Sequence, residues 1–306
     1  MSQELQTEKT KKEIMELKRA KKAIILAHNY QPDEIQEIAD YTGDSFGLSQ
    51  QAAATDAEVI VFCGVHFMAE SAAILAPEKT ILLPEKNAGC PLADTVTPEE
   101  LSAKKDEYPQ AAVVSYVNTS AAVKAESDIC CTSSNAVKVV HSLGERQILF
   151  VPDGNLAHWV AKQTDKEIIP WKGYCITHQR VTGEDVDKVR ELHPDAVIAV
   201  HPECRPEVVS RADFVGSTSA ILRFARQSAA QKIIVGTEMG ILYRLKFDSP
   251  QKQFYLLSAK LICVNMKMTN LPKVLEALKT GEPRVVVEEP VRSRAYNALQ
   301  RMLAVT

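Results

Sequence analysis

Several features that would assign a chain to a common protein class are missing from this sequence of 306 residues. No apolar run approaches the ~18 residues that a membrane span needs, and residues 23–27 form one of the longest. Residues 2–22 are charged throughout and lack the apolar core of a signal peptide. Neither sign of charge dominates, since the formal net charge is −3, which argues against nucleic-acid and acidic-membrane partners. We therefore expect a soluble, cytoplasmic protein that binds neither membrane nor nucleic acid.

Cysteine pairs with Cys-x-x-Cys spacing are also missing. The seven cysteines stand at positions 63, 90, 130, 131, 175, 204 and 263, and none is in a Cys-x-x-Cys pair. This excludes the zinc ribbon, the thioredoxin-type redox motif and the ferredoxin run. The odd number and the size of the chain argue against a disulfide framework. Any metal site must therefore be assembled from cysteines that lie far apart in sequence.

Short apolar runs recur along the chain in three sets. The first set is residues 23–30, 112–118 and 196–203, the second is 59–62, 147–151 and 232–235, and the third is 80–83, 166–169 and 254–257. Such runs are typical of buried parallel strands, and helix-like sequence separates them. Each unit therefore predicts the order strand, helix, strand, helix, strand, which forms a three-layer unit.

Three markers repeat with the same period. The residues that end the first strands are 88 and 85 residues apart: His28, Tyr116 and His201. The hydroxyl residues that follow them have the same separations: Ser45, Ser133 and Thr218. The cysteines beyond the third strands are 85 and 88 residues apart: Cys90, Cys175 and Cys263. We expect an α/β fold with three αβα sandwich domains around a pseudo-threefold axis, each with a small parallel sheet, enclosing a central cavity. The predicted ranges are an N-terminal helix at 1–22, repeats at 23–107, 108–193 and 194–270, and a C-terminal helical closure at 271–306.

The repeated residues fall at the carboxyl ends of strands, where open parallel sheets bind ligands. Cys90, Cys175 and Cys263 can give three thiolates to zinc, with a histidine or water as fourth ligand. They can also hold a [4Fe–4S] cluster and leave one iron open as a Lewis acid. The threefold symmetry favours the cluster. The remaining cysteines have no repeated counterparts, and we expect them to pack in the core: Cys63, Cys130, Cys131 and Cys204.

The other repeated residues have a bland and a functional interpretation. Ser45, Ser133 and Thr218 each begin a helix-like stretch, so they either cap helices or bind substrate anions at helix N-termini. Three further side chains are of types that can donate or accept protons in general acid–base catalysis: Tyr30, His201 and Glu203. Hydrogen bonds to carboxylate or carbonyl oxygens are expected from His28, Tyr116 and Asn118. His178 follows Cys175 by three residues and is a candidate neighbour of the metal centre.

Nine motifs, in order over essentially the whole chain, resemble the quinolinate synthase family. They are His28-Asn-Tyr-Gln31, Gly43-Asp-Ser45, Gly89-Cys90-Pro-Leu-Ala-Asp94, Tyr116-Val-Asn118, Cys131-Thr-Ser-Ser-Asn135, Pro152-Asp153-x-Asn155-Leu156, Trp171-Lys-Gly-Tyr-Cys175-Ile-Thr-His178, His201-Pro-Glu-Cys204 and Cys263-Val-Asn-Met-Lys267. No cysteine follows Cys263, so the chain resembles the compact type of the family.

The resemblance implies an enzyme of de novo NAD biosynthesis that condenses iminoaspartate with dihydroxyacetone phosphate, releasing phosphate and two waters. It implies a [4Fe–4S] cluster on Cys90, Cys175 and Cys263, and proton transfer by Tyr30, His201 and Glu203. Substrate contacts are implied for His28, Ser45, Tyr116, Asn118, Ser133, His201, Glu203 and Thr218. L-aspartate oxidase, which supplies iminoaspartate, is implied as a transient partner.

Two other functions stay open on the sequence. One is another three-cysteine cluster enzyme, such as hydroxymethylbutenyl diphosphate reductase or the diphthamide-forming enzyme. The other is a non-enzymatic iron–sulfur sensor or carrier, which would need a fourth protein ligand and a partner surface.

Overall fold

The structure is a computed structural model that describes residues 3–305 and contains three four-stranded sheets, all parallel. The first holds β1 (Ala23–His28), β2 (Tyr41–Gly43), β3 (Val59–Cys63) and β4 (Thr80–Leu82). The second holds β5 (Ala112–Tyr116), β6 (Ile129–Cys131), β7 (Gln147–Val151) and β8 (Glu167–Pro170). The third holds β9 (Val197–Val200), β10 (Phe214–Val215), β11 (Lys232–Gly236) and β12 (Gln253–Leu256). The predicted α/β fold of three αβα sandwich units is confirmed.

All three sheets have the same strand order, in which the first strand of the unit lies between its second and third strands. The prediction of three strands per unit was wrong, because each unit has a short second strand at the sheet edge. These strands, β2, β6 and β10, have only three, three and two residues, too few to show a periodic pattern.

An aspartate fixes each short strand beside the first strand. The carboxylates of Asp40, Asp128 and Asp213, each just before or near the short strand, accept the N–H groups of Ile25, Val113 and Ile198 at 2.7, 2.7 and 2.8 Å. The three aspartates keep the repeat period of 88 and 85 residues. They are a fourth marker of the repeat, which the sequence pattern did not reveal.

Fifteen helices in the described residues cover the sheets. They are α1 (Gln3–Ala20), α2 (Asp33–Ile38), α3 (Ser45–Ala54), α4 (His66–Leu75), α5 (Pro98–Glu107), α6 (Ala121–Ala125), α7 (Ala136–Ser142), α8 (Gly154–Ala161), α9 (Ile176–Gln179), α10 (Gly183–Leu192), α11 (Pro206–Val209), α12 (Thr218–Gln227), α13 (Ile241–Asp248), α14 (Leu271–Thr280) and α15 (Val291–Ala304). Two 3₁₀ turns, Ala93–Thr95 and Asn265–Lys267, follow the first and third cysteines of the repeat. Of the helices described, none is long and apolar enough to cross a membrane.

A helical closure was predicted over residues 271–306. Residues 271–280 and 291–304 are helical, but 281–290 are not, and α15 begins only after Pro290, whose ring disfavours a helical conformation of the preceding residue. The segment before it instead lies along the edge of the first sheet, where Val285 N–H donates to the carbonyl of Ile81. Each of the three sheets falls inside one predicted repeat range, and the domain boundaries themselves stay predictions.

The buried apolar core shows which units are packed together. The largest cluster joins the first and second sheets through residues such as Phe62 and Phe150, and α15 contributes Leu299 to it. The third unit packs around separate clusters, which include Ile198 and Ile233. All three units therefore contribute strand ends to a common centre, while the third keeps a core of its own.

Candidate active site and metal centre

One cavity lies where the carboxyl ends of the three sheets meet. It encloses about 1000 Å³ of space, counting its opening to solvent. Every residue singled out in the sequence as catalytic, substrate-binding or metal-ligating lines it, four from each repeat: His28, Tyr30, Ser45 and Cys90; Tyr116, Asn118, Ser133 and Cys175; His201, Glu203, Thr218 and Cys263. The structure thus brings the predicted residues together, while the role of each residue stays a prediction.

The cysteines divide into two groups. The three repeated cysteines line the cavity and are partly exposed, and Cys175 stands at the N-cap position of α9. The four others are buried and do not line it: Cys63, Cys130, Cys131 and Cys204. The Cys204 thiol donates to the carbonyl of Gly236 at 3.3 Å inside the core of the third unit. Burial raises the pKa of the Cys90 thiol to about 12, and the nearby Cys263 contributes, so a metal must displace the thiol proton.

The hydroxyl residues are not the helix caps that one interpretation of the sequence expected. The side chain of Asp44 caps α3 by accepting the N–H of Gly47 at 3.0 Å, and Ser217 caps α12 by accepting that of Ala220 at 3.2 Å. Ser45 and Thr218 are the first residues inside these helices. At α7 the N-cap is Asn135, two residues after Ser133. The capping interpretation is therefore wrong, and two of the hydroxyls instead bond to cavity residues: Thr218 Oγ1 to Tyr30 Oη at 2.9 Å and Ser133 Oγ to His201 Nε2 at 3.1 Å.

Titratable side chains form a connected hydrogen-bond chain across the cavity wall. Tyr30 Oη lies 2.9 Å from Thr218 Oγ1 and 2.6 Å from Thr237 Oγ1. Thr237 Oγ1 lies 2.9 Å from His178 Nε2, and His178 Nδ1 lies 2.8 Å from Glu203 Oε2. An ionised carboxylate only accepts, so His178 Nδ1 carries a proton and donates it to Glu203.

His178 is more central than its sequence position indicated. Its Nδ1 is 3.3 Å from the Cys175 sulfur, and its ring stacks on that of His201 with centroids 4.9 Å apart. His201 Nε2 shares a hydrogen bond of 3.1 Å with Ser133 Oγ. The ligand atoms of Cys175, His178 and Glu203 lie within 4.8 Å of one another, an arrangement that can hold a metal ion.

The buried site separates acids from bases. Burial lowers the pKa of His28 to about 4 and that of His201 to about 3, so both rings are neutral at pH 7. Burial and the Glu203 charge raise the pKa of Tyr30 and Tyr116 well above 10, so both keep their protons. Burial disfavours the Glu203 carboxylate, but the neighbouring His201, His178 and Tyr116 side chains outweigh burial and lower its pKa to about 2.

Two polar atoms of the cavity residues have no protein partner. Asn118 Oδ1 and Glu203 Oε1 are buried and make no hydrogen bond within the described structure. Leaving such an atom unpaired costs roughly 1–3 kcal/mol. Both residues line the cavity, and both atoms are acceptors that a hydrogen-bond donor would satisfy.

Some cavity residues were missed by the sequence reasoning. Asp44, Arg180, Glu238 and Asn265 line the cavity but do not occupy the repeated marker positions. Asp44 stood inside the Gly43-Asp-Ser45 motif and could have been noticed there. Among the described residues that line the cavity, Arg180 is the one arginine or lysine, and it is exposed at the mouth.

Titratable groups with opposed pKa shifts beside a set of side chains that can bind a metal are characteristic of an enzyme site.

Comparison with known proteins identifies the family. Residues 12–304 match the family described as NadA, quinolinate synthetase A protein. Quinolinate synthase of Alkaliphilus metalliredigens is 57% identical over 294 residues, which cover 96% of this chain and 97% of that protein.

Two further relatives agree. The quinolinate synthases of Thermodesulfovibrio yellowstonii and Geobacter metallireducens are each 55% identical to this chain, over 96% and 98% of its length and 98% and 99% of theirs. The chain therefore belongs to the quinolinate synthase family, and by that membership it is an enzyme of NAD biosynthesis with small-molecule substrates.

Proposed function

We propose that this chain condenses iminoaspartate with dihydroxyacetone phosphate and dehydrates the product to quinolinate, releasing phosphate and two waters. The observation that carries the proposal is the pair of unpartnered atoms, Asn118 Oδ1 and Glu203 Oε1, in a cavity lined by cysteines of all three repeats. Family membership supports the product, and the polar lining suits substrates that carry carboxylates and a phosphate.

The donor set fits a [4Fe–4S] cluster. Three thiols reach one cavity from three repeats, and none of the four remaining cysteines lines it. Cys90, Cys175 and Cys263 would hold the cluster, with His178 beside Cys175. When bound, the cluster supplies an iron with an open coordination position, which acts as a Lewis acid toward substrate oxygens.

Substrate anions are bound by helix N-termini and neutral donors. The helices α3 and α12 present their first turns to the cavity through Ser45 and Thr218, and helix N-termini favour negative charge. Ser133, Tyr116 and His28 add hydrogen-bond donors. This allows an anionic substrate to bind in a cavity that holds no buried lysine or arginine along its described lining.

Proton transfer falls to Tyr30, His201 and Glu203. The neutral His201 ring can take a proton, and Glu203, whose Oε2 lies 3.5 Å from His201 Nδ1, stabilises the imidazolium that forms. Tyr30 keeps its proton at neutral pH and can give it to a developing oxyanion. Asn118 and Tyr116 orient the substrate oxygens beside these groups.

The proposal places the enzyme in the cytoplasm, beside the reaction that supplies iminoaspartate. L-aspartate oxidase is the expected source, and transient contact between the two enzymes would shorten the path of an unstable imine. This contact is part of the proposal and is tested by coupling the two purified enzymes.

The decisive experiment is anaerobic. Purified, reconstituted protein is given both substrates, and quinolinate and phosphate are measured. Equal amounts of the two products support the proposal. Reduction of a diphosphate substrate, or modification of a protein histidine, would instead assign another three-cysteine cluster enzyme. A loaded cluster without turnover of any of these substrates would indicate a sensor or carrier.

A further inference from the structure

The loop that carries each repeated cysteine is fastened in an equivalent way. In each unit, a backbone N–H at or just before the third helix donates to the carbonyl of the residue two positions before the cysteine. The three bonds run from His66 to Ala88 at 2.8 Å, from Gly154 to Gly173 at 2.8 Å and from Met239 to Leu261 at 2.9 Å. The residues just before the donors are therefore equivalent as well, and they are Val65, Asp153 and Glu238. Two of the three repeats thus place a carboxylate beside the cysteine loop.

Both carboxylates bind the amide of the cysteine itself. Asp153 Oδ2 accepts the N–H of Cys175 at 3.1 Å, and Glu238 Oε1 accepts that of Cys263 at 3.1 Å. Neither acid has any solvent exposure. The cysteine amides are therefore held by side chains that the strands and helices of their own repeats fix in place.

The second oxygen of each carboxylate is also engaged. Asp153 Oδ1 accepts the N–H of Leu156 at 2.7 Å and caps α8. Glu238 Oε2 accepts the N–H of Gly240 at 2.7 Å and the Lys267 ammonium at 3.0 Å. A cap needs only one acceptor, which serine or asparagine also supplies. Burying an acid is costly, and here its second oxygen is used on the cysteine.

In the first repeat, the cysteine loop is held by different residues. The side chain of Val65 cannot accept a hydrogen bond, and the Cys90 loop is fixed by other residues. Asn265 Nδ2 donates to the carbonyl of Gly89 at 2.8 Å, and Glu85 Oε1 accepts the N–H of Asn87 at 2.8 Å. The first bond ties the loop of Cys90 to the segment after Cys263.

We propose that Asp153 and Glu238 are positioning residues for the metal centre, which hold the backbone of Cys175 and Cys263 so that both thiols face the cluster. The inference rests on the cluster of the proposed function. Removing a group that orients a metal ligand typically costs 10–100-fold in metal affinity. Each acid acts through the amide of its cysteine; Glu238 also lines the cavity, whereas Asp153 does not.

The test separates positioning from capping. Asp153→Asn keeps the cap, because asparagine caps a helix about as well as aspartate, but its amide nitrogen is a donor and cannot accept the Cys175 N–H. Glu238→Gln makes the corresponding change at Cys263. Thr97→Ala is the control, since it removes the N-cap of α5 and the side-chain hydrogen bonds described for Thr97 go to Glu100 and not to a cysteine loop.

Iron loss to a chelator is measured anaerobically on the reconstituted holoenzymes, together with the electron paramagnetic resonance spectrum of the reduced cluster. Thermal midpoints of the cluster-free chains report the fold. We expect iron loss to accelerate by about 10–100-fold in both acid variants, with an altered spectrum, and to stay at the wild-type rate in Thr97→Ala.

Wild-type rates of iron loss in both acid variants would overturn the inference. So would equal acceleration in Thr97→Ala, which would assign the effect to general stability. If Asp153→Asn does not fold, the comparison of Glu238→Gln with the control decides the matter. Failure of the wild-type chain to take up a cluster would refute the proposed cofactor instead, before any variant is compared.

Discussion

The neighbouring residues Ser217 and Thr218 separate helix capping from substrate binding. Ser217 Oγ accepts the N–H of Ala220 at 3.2 Å and donates to Ser134 Oγ at 2.8 Å, because the single proton of Ser134 is given to Asp44. Loss of a serine cap costs about 1 kcal/mol. The bond to Ser134 adds roughly 0.5–1 kcal/mol, since Ser134 keeps its bond to Asp44. We expect Ser217→Ala to lower the free energy of unfolding by about 1.5–2 kcal/mol, with kinetics nearly unchanged.

The neighbouring substitution should do the reverse. Thr218→Val keeps the branched shape and loses the hydrogen bond to Tyr30 Oη, which retains its 2.6 Å bond to Thr237. Stability should change by less than about 1 kcal/mol. A hydrogen bond to a charged substrate group contributes about 1.5–3 kcal/mol. At tenfold per 1.4 kcal/mol, kcat/KM should fall roughly 10–100-fold.

Both substitutions are measured on the loaded enzyme, by urea unfolding and by anaerobic steady-state kinetics. The expected outcome is that Ser217→Ala lowers stability without changing kcat/KM, whereas Thr218→Val lowers kcat/KM with little change in stability. Wild-type kcat/KM in Thr218→Val would refute the substrate contact. A kinetic defect in Ser217→Ala without a change in stability would show that Ser217 contacts the substrate and is not needed as the helix cap.

Three further predictions concern the cluster, the proton-transfer groups and the response to pH. Serine at Cys204 should retain the iron–sulfur absorption after anaerobic reconstitution, whereas serine should abolish it at Cys90, Cys175 and Cys263; the opposite pattern at Cys204 and Cys263 would contradict the repeat assignment. Tyr30→Phe and Glu203→Gln should lower kcat by ~10²–10⁴-fold with the cluster spectrum intact, and near-normal turnover in both would leave them as cavity lining. Burial lowers the pKa of His28 to about 4 and of His201 to about 3 from 6.5, so the unfolded chain binds more protons below pH 6.5. The free energy of unfolding should therefore fall as the pH drops from about 6.5 toward 4, by up to about 1.4 kcal/mol per pH unit for each histidine; equal urea midpoints at pH 7.5 and 5 would contradict this.

The sequence alone determined the repeated architecture and the twelve predicted residues that line the cavity. Apolar runs recur with a constant period, and residues at equivalent positions of equivalent units lie at equivalent places in space. The carboxyl ends of parallel strands meet at one edge of each sheet. His28, Tyr116 and His201 could therefore be assigned to one cavity without any knowledge of distances.

The short edge strands and the helix caps were not evident from the sequence. A strand of two or three residues has no period, and β2 and its equivalents form because Asp40 and its counterparts bind the neighbouring strand. The caps of α3 and α12 stand one residue before Ser45 and Thr218. Which of two adjacent polar side chains caps a helix depends on the backbone angles at its first turn.

Only the tertiary structure decided how the repeats act on one another. His178, in the second repeat, bonds to Thr237 and Glu203 of the third, and Thr237 in turn to Tyr30 of the first. Asp153 and Glu238 became recognisable as supports of Cys175 and Cys263 only through their bonds to the cysteine amides. The spacing of residues along the sequence shows which positions are equivalent in the three repeats. Contacts between repeats depend instead on how the three units pack together. That packing determines which buried polar groups are hydrogen-bonded.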